Sequence, residues 1–179
     1  MKNGLKVAVF MGISMLFWGI LEGCGYKPSS YYIHNLFDEN VYVEVIVDSA
    51  EPENAPFVKD ELNRIIYTRF HGKVVPKSQA KSQIIARYNG SRFIPLVYKD
   101  GYIVRYRVDV RVHFDMVTKQ GKISKNIRAI VESDIQASSY YSSSLRIAAI
   151  KKGLEKALDQ FLAYVSTKGV LAKREASGH

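Results

Sequence analysis

The stretch from Tyr102 to Met116, YIVRYRVDVRVHFDM, alternates between two kinds of side chain almost without a break. Tyr102, Val104, Tyr106, Val108, Val110, Val112, Phe114 and Met116 fall on one side, and Arg105, Arg107, Asp109, Arg111, His113 and Asp115 on the other. A period of two over this length is the pattern of a strand with one buried and one solvated face. A chain that contains it must supply a cover for the valine side and leave the arginine side wet. That requirement selects a layered α+β domain before anything else is read.

The neighbouring segments supply the cover. Val41 to Val47 alternates with four valines on one side and reads as the first strand. Asp48 to Pro56, DSAEPENAP, is a turn-rich break. Asn54 and Pro56 then mark the start of an amphipathic helix through Val58, Leu62, Ile65, Ile66 and Phe70. His71-Gly72 ends it, with the glycine expected in the left-handed conformation. Gln83 to Tyr88 reads as a strand, Asn89-Gly90 as a turn, and Arg92 to Tyr98 as extended with Pro95 at an edge or bulge. Lys99-Asp100-Gly101 carries the signal of a tight hairpin. The long strand follows, then a turn over Thr118–Lys122 and a return strand from Ile123 to Asp134. In the return strand Lys125 breaks an otherwise inward set of Ile127, Ala129 and Val131.

Ser143 or Ser144 caps a final helix whose stripe runs Ile147, Ile150, Leu154, Ala157, Leu158, Phe161, Val165. Lys168-Gly169 is the expected stop. The predicted order is β-α-β-β-β-α, a two-layer sandwich of a roughly four-stranded mixed sheet with two helices on one face.

The single cysteine, Cys24, cannot form an internal disulfide and calls for another explanation. Lys2 and Lys6 precede an uncharged run from Val7 to Leu21, shorter than the roughly 20 residues of a membrane-spanning helix. The run fits a secretory signal. Leu21-Glu22-Gly23-Cys24 resembles a bacterial lipobox, with Glu22 departing from the small or apolar residue usual at that place. On this reading residues 1–23 are a signal peptide and Cys24 is the acylated N-terminus. Residues 24–40 are a lipidated linker, 41–168 a single domain, and 169–179 a disordered polar tail. An uncleaved anchor helix with an incidental cysteine is the competing reading. Gly25 lacks the aspartate that retains enteric lipoproteins in the inner membrane, which points to the outer membrane.

The formal charge is +9, and cleavage would remove only Lys2, Lys6 and Glu22. The basic excess therefore belongs to the folded part. It calls for an anionic partner. Nucleic acid is not expected for a secreted, lipid-anchored protein; phosphorylated glycolipid fits the compartment. Arg105, Arg107 and Arg111 lie together on the wet side of one strand, and arginine holds phosphate through a planar fork. Solubilising strand-face charge is the plainer explanation of any one of them. Tyr98 and Tyr102 flank the hairpin turn and Tyr140-Tyr141 lie in the last loop, as partner anchors or as local packing. No HExxH, P-loop, GxGxxG or GxSxG occurs, and no metal spacing links His34, His71, His113 and His179. Neither a catalytic nor a cofactor role is expected. A hydrolase built on His113 would need a cleft there.

The GCGY at the end of the signal, the valine-rich first strand, the polar break before the first helix and the long last helix together resemble the LptE family of lipopolysaccharide-assembly lipoproteins. The resemblance implies a four-stranded mixed sheet with two helices on one side. It implies an acylated cysteine in the inner leaflet of the outer membrane, a place as a plug inside a large β-barrel of the LptD type, and direct binding of lipopolysaccharide. The family's basic residue in the hairpin entering the long strand falls on Lys99 of YKDG. Its second basic residue, before the last helix, has no counterpart in ASSYYSSS, where the nearest cation is Arg146. Lipopolysaccharide contact is then expected either to be weaker here or to use Arg105 and Arg107, which the strand pattern rather than the resemblance supplies. A lipoprotein accessory to an inner-membrane transporter is the alternative.

Overall fold

In the computed structural model, which describes residues 33–49, 52–134 and 142–177, the alternating stretch is strand β4 (Tyr102–Thr118). It lies between β3 (Ser82–Lys99) and β5 (Gly121–Asp134), antiparallel to both. β1 (Asn40–Val47) runs parallel to β3, and β2 (Lys73–Val74) adds a parallel fifth strand outside it. The sheet order is β2-β1-β3-β4-β5. The expected four strands thus become five. β2 is too short to leave a periodic signal; only the apolar pair Val74-Val75 marks it.

Two helices cover the valine face. Helix α1 (Ala55–Ile65) buries Val58, Leu62 and Ile65. Helix α2 (Ser142–Ser177) buries Ile150, Leu154, Leu158, Phe161 and Val165. Phe161 stacks on Phe114 of β4 at 4.1 Å between ring centroids. Gly153 marks a close approach of helix to sheet: a Cβ there would sit 2.5 Å from Val110 Cγ2. Lys125 reaches past the core edge to the ring of Tyr164, 5.0 Å from its centroid, which accounts for a lysine on the inward side.

Four expectations change. α1 passes into a π-turn (Ile66–Phe70), and His71, at φ 50°, takes the left-handed position assigned to Gly72. Gly72 is needed for space instead, since its Cβ would lie 2.8 Å from the Glu39 carbonyl oxygen. Asn89-Gly90 is no turn. β3 runs through it, with register Tyr88↔Val112 followed by Ser91↔Val110, so two residues oppose Arg111 alone in a bulge with Gly90 at φ 79°. The extra residue switches which parity faces the helices: Ile84, Ala86 and Tyr88 before it, Ser91 and Phe93 after it. α2 does not stop at Gly169 but continues to Ser177, so the tail expected to be disordered is helical up to that point. Within the expected linker, Ile33, Leu36 and Phe37 are fully buried, Phe37 stacking on Phe70 at 5.4 Å. The Lys119 amide, in the β4–β5 turn, donates to the Leu36 carbonyl, and Lys119 Nζ to that of His34.

Pro95 sits where expected. β1 pairs β3 only from Ser82 to Tyr88, so among the described residues the outer side of β3 is an edge from the bulge onward, and the register shifts again after Pro95. The β3–β4 turn has Asp100 at φ 51° and Gly101 at φ 83°, the two positive values a tight hairpin requires. β5 ends opposite Arg105, so among the described residues the last residues of this hairpin have strand neighbours on neither outer side.

Candidate functional site

The face of the sheet away from the helices is built from the odd residues of β4 and their cross-strand partners. β3 places Arg87 opposite His113, and Arg92 opposite Asp109; β5 places Arg128 opposite Arg111, and Asp134 opposite Arg105. Opposed residues in an antiparallel pair share a face, so these side chains form one carpet.

Much of that carpet is paired laterally. Asp109 is 1% exposed although it belongs to the solvent face. Arg128 clamps it through Nε, 2.9 Å from both carboxylate oxygens, and Nη2, 2.5 Å from Oδ2. Arg111 makes a longer contact at 3.5 Å. The Arg128 hydrogen bonds hold the Asp109 carboxyl below its ordinary range, so it remains an anion under its arginines. A second cluster centres on Asp115, which accepts from Ser124 Oγ at 2.5 Å and from Arg87. The ring nitrogens of His113 lie 2.6 Å from Asn126 Oδ1 and 3.0 Å from Asp115 Oδ1. These donors, Ser124 first and Arg87 next, draw the Asp115 carboxyl down to about 2.

The basic residues picked out in the sequence are therefore sorted. Arg105 is joined to Asp134, Nε to Oδ1 at 2.6 Å. Arg111 leans on Asp109. Arg107 is exposed and makes no ion pair among the described residues. Lys99 is exposed at the hairpin tip, nine strand residues from Arg111 by its pairing with Tyr102, or about 30 Å. The structure separates Lys99 from Arg111, while Arg105, paired with Val97, lies only three strand residues from Lys99's partner Tyr102, or about 10 Å. Tyr98 and Tyr102, on either side of the tip, are 63% and 65% exposed, and Val97 beside them is 41% exposed. Tyr102 was expected on the buried side. The alternation holds, but the core begins only at Val108, because neither β5 nor the helices shield the tip. Arg146 stacks over Phe93, 4.8 Å from the ring centroid, and Phe93 meets Tyr106 edge-on. Cys24, Tyr140 and Tyr141 lie outside the described residues.

Arg92 was not singled out in the sequence. It joins Arg111 on a cleft of about 220 Å³ where β3 bulges and β1 ends, with Asp109 at its base and Asp48 at its rim. Arg92 is exposed and has no ion-pair partner among the described residues. The signal that could have found it is the parity switch at Asn89-Gly90, which turns Arg92 onto the same face as Arg111. A shallower groove of about 570 Å³ runs between β5 and α2 at Ile130, Lys152 and Lys156. Neither cleft is lined by His113. Among the described residues no three His, Cys, Asp or Glu side chains are grouped to hold a metal, and no helix is long and apolar enough to cross a membrane.

Comparison with known proteins gives the same architecture. Rare lipoprotein B from Shewanella oneidensis superposes with a TM-score of 0.53 at 13% identity, over 74% of this chain and 98% of that one. A putative lipoprotein from Caulobacter crescentus superposes with a TM-score of 0.52 at 15% identity, over 82% of this chain and 96% of its own. At these identities the likeness is one of fold. No curated protein matches in sequence. The lipopolysaccharide-assembly family LptE matches residues 41–165, from the first strand into the last helix. The chain is a member of the LptE lipopolysaccharide-assembly family.

Proposed function

We propose that this protein is an outer-membrane lipoprotein, held by acylated Cys24, that plugs a β-barrel of the LptD type, supports its assembly and assists insertion of lipopolysaccharide. Family membership supplies the general role in lipopolysaccharide assembly. The observation that carries the finer reading is the contrast between the two faces of the sheet. One face is sealed by α1 and α2, and the other is a charged carpet whose members are tied sideways to one another. A barrel lumen is polar. A plug must present it with a surface that is polar and already ordered, so that little side-chain freedom is lost on docking. The protruding hairpin adds two exposed tyrosines around Lys99, the mix of aromatic and cationic groups that anchors protein interfaces and meets anionic headgroups. In this reading Lys99, Arg105, Arg107 and Arg111 face lipopolysaccharide phosphates, and Tyr98, Tyr102, Tyr140 and Tyr141 face the barrel. Catalysis is no part of it.

The test is recovery of a C-terminally tagged chain from membranes in mild detergent, beside a Cys24→Ala control, with bound proteins identified by mass spectrometry. Stoichiometric recovery of one large outer-membrane barrel is expected, reduced in the control. Recovery of the chain alone, or with inner-membrane transporter subunits, rules out the plug and favours a periplasm-facing accessory module.

A further inference from the structure

The cleft at the β3 bulge differs from the rest of the charged face in one respect. Elsewhere arginines are taken up by neighbouring carboxylates: Arg87 by Asp115, Arg105 by Asp134, Arg128 by Asp109. At the cleft one carboxylate, Asp109, is shared by two arginines. Asp109 sits 1% exposed at its base, already clamped in two-pronged fashion by Arg128, and Arg111 reaches it only at 3.5 Å. Arg92, directly opposite Asp109 on β3, is exposed and without an ion pair among the described residues, and Arg107 lies next along β4 in the same condition. Asp109 is thus shared by Arg128 and Arg111, and Arg92 adds a guanidinium to the cleft lining. Arg111 meets the carboxylate only through the longer contact at 3.5 Å.

The backbone contributes shape. At the bulge Asn89 and Gly90 oppose the single residue Arg111, and Gly90 at φ 79° leaves the wall without a side chain. The room opened is about 220 Å³, enough for a tetrahedral oxyanion and part of its carrier. Asp48 at the rim disfavours a bare, highly charged anion pressed against it.

We propose that this cleft is a recognition site for a phosphate ester, its oxygens held by the forks of Arg92 and Arg111. The site deepens the lipopolysaccharide reading and rests on it only for the identity of the carrier; the phosphate chemistry stands on the geometry. It is a different place from the hairpin tip, about 30 Å away along β4.

The experiment is an amide NMR titration of the full chain in non-ionic detergent, first with inorganic phosphate, then with phosphatidic acid in the same micelles. Saturable shifts confined to Asn89–Arg92 and Asp109–Arg111 are expected. Arg92→Gln and Arg111→Gln should each weaken binding about tenfold. Lys59→Gln, an equal charge change on exposed helix α1, should leave it unchanged. Arg92→Lys, keeping the charge but not the fork, should fall between. Retained dispersion of the amide spectrum shows that the variants are folded. Tighter binding of the headgroup identifies a lipid carrier, and equal or weaker binding a soluble one; both support the site. Shifts spread over all basic residues, no saturable shift, or folded Gln variants that bind as well as the parent overturn it. Barrel recovery with no phosphate response removes this site and leaves the plug reading standing; a phosphate response without a barrel does the reverse.

Discussion

Asp109 and Asp115 are two carboxylates on one strand face, and their surroundings give them different tasks. Asp109 is buried and clamped by Arg128. Asp109→Asn keeps the shape but removes the charge that Arg128 binds, and should destabilise the fold by about 1–3 kcal/mol in urea unfolding. Asp115 is a third exposed, and its carboxyl is drawn down to about 2. Because that lies below the unfolded value, its stabilisation is complete above pH about 4 and drains away as pH falls toward 2. Unfolding midpoints measured between pH 5 and 2 should therefore drop less steeply for Asp115→Asn than for the parent. At this scale the sequence was readable where one residue type permits one conformation. Asp100-Gly101 supplied both positive φ values of the hairpin. Asn89-Gly90 carried the same local signal and became a bulge, because the chain beyond it keeps pairing with β4. Local chemistry proposes a left-handed residue; the partner strand decides whether the chain reverses there. The lateral ion pairs were not readable at all, since an alternating pattern shows which side chains share a face but not which of them touch.

Among the elements, α2 and β4 dominate. Gly153 sits on α2 where a Cβ would meet Val110 at 2.5 Å, close enough that helix or sheet must move. Alanine favours a helix by about 1 kcal/mol over glycine, but overpacking a closed interface costs about 1–3 kcal/mol. Gly153→Ala should therefore lower the thermal midpoint despite its helix propensity. A raised midpoint would show that the interface yields. Phe161→Ala, which removes the ring stacked on Phe114, should cost about 3–5 kcal/mol in chemical unfolding. The long elements were legible because their periods persist for many residues. β2, with two residues, was not. The end of α2 was misplaced because Gly169 is a stop only when nothing holds the next turn. Here Ala172 is buried beyond it, and Asn35 Nδ2 approaches the Gly169 carbonyl at 3.5 Å.

For the molecule as a whole, the free strand edges are guarded. β3 carries Pro95 and register shifts where β1 leaves it, β2 is short, and Lys156 Nζ donates to the Ile130 carbonyl on β5 at 2.8 Å. These features discourage edge-to-edge pairing of copies. On the proposed function, partner contact falls to the charged face and the hairpin tip. Tyr98→Ser with Tyr102→Ser should leave the unfolding midpoint within about 0.5 kcal/mol of the parent, since both rings are exposed. The same pair should reduce barrel recovery. A large loss of stability would show that the tip packs on something else. The two ends of the sheet also stand in a fixed relation. The turn at Ile33–Phe37 is locked beside the β4–β5 corner, while the tip lies at the far end of the 17-residue β4, about 55 Å away. The sheet is in effect a ruler with its zero mark at Ile33. Adding two residues to each arm of the tip hairpin would lengthen it by about 7 Å and keep every side chain on its own face, whereas adding one would turn the reading edge over.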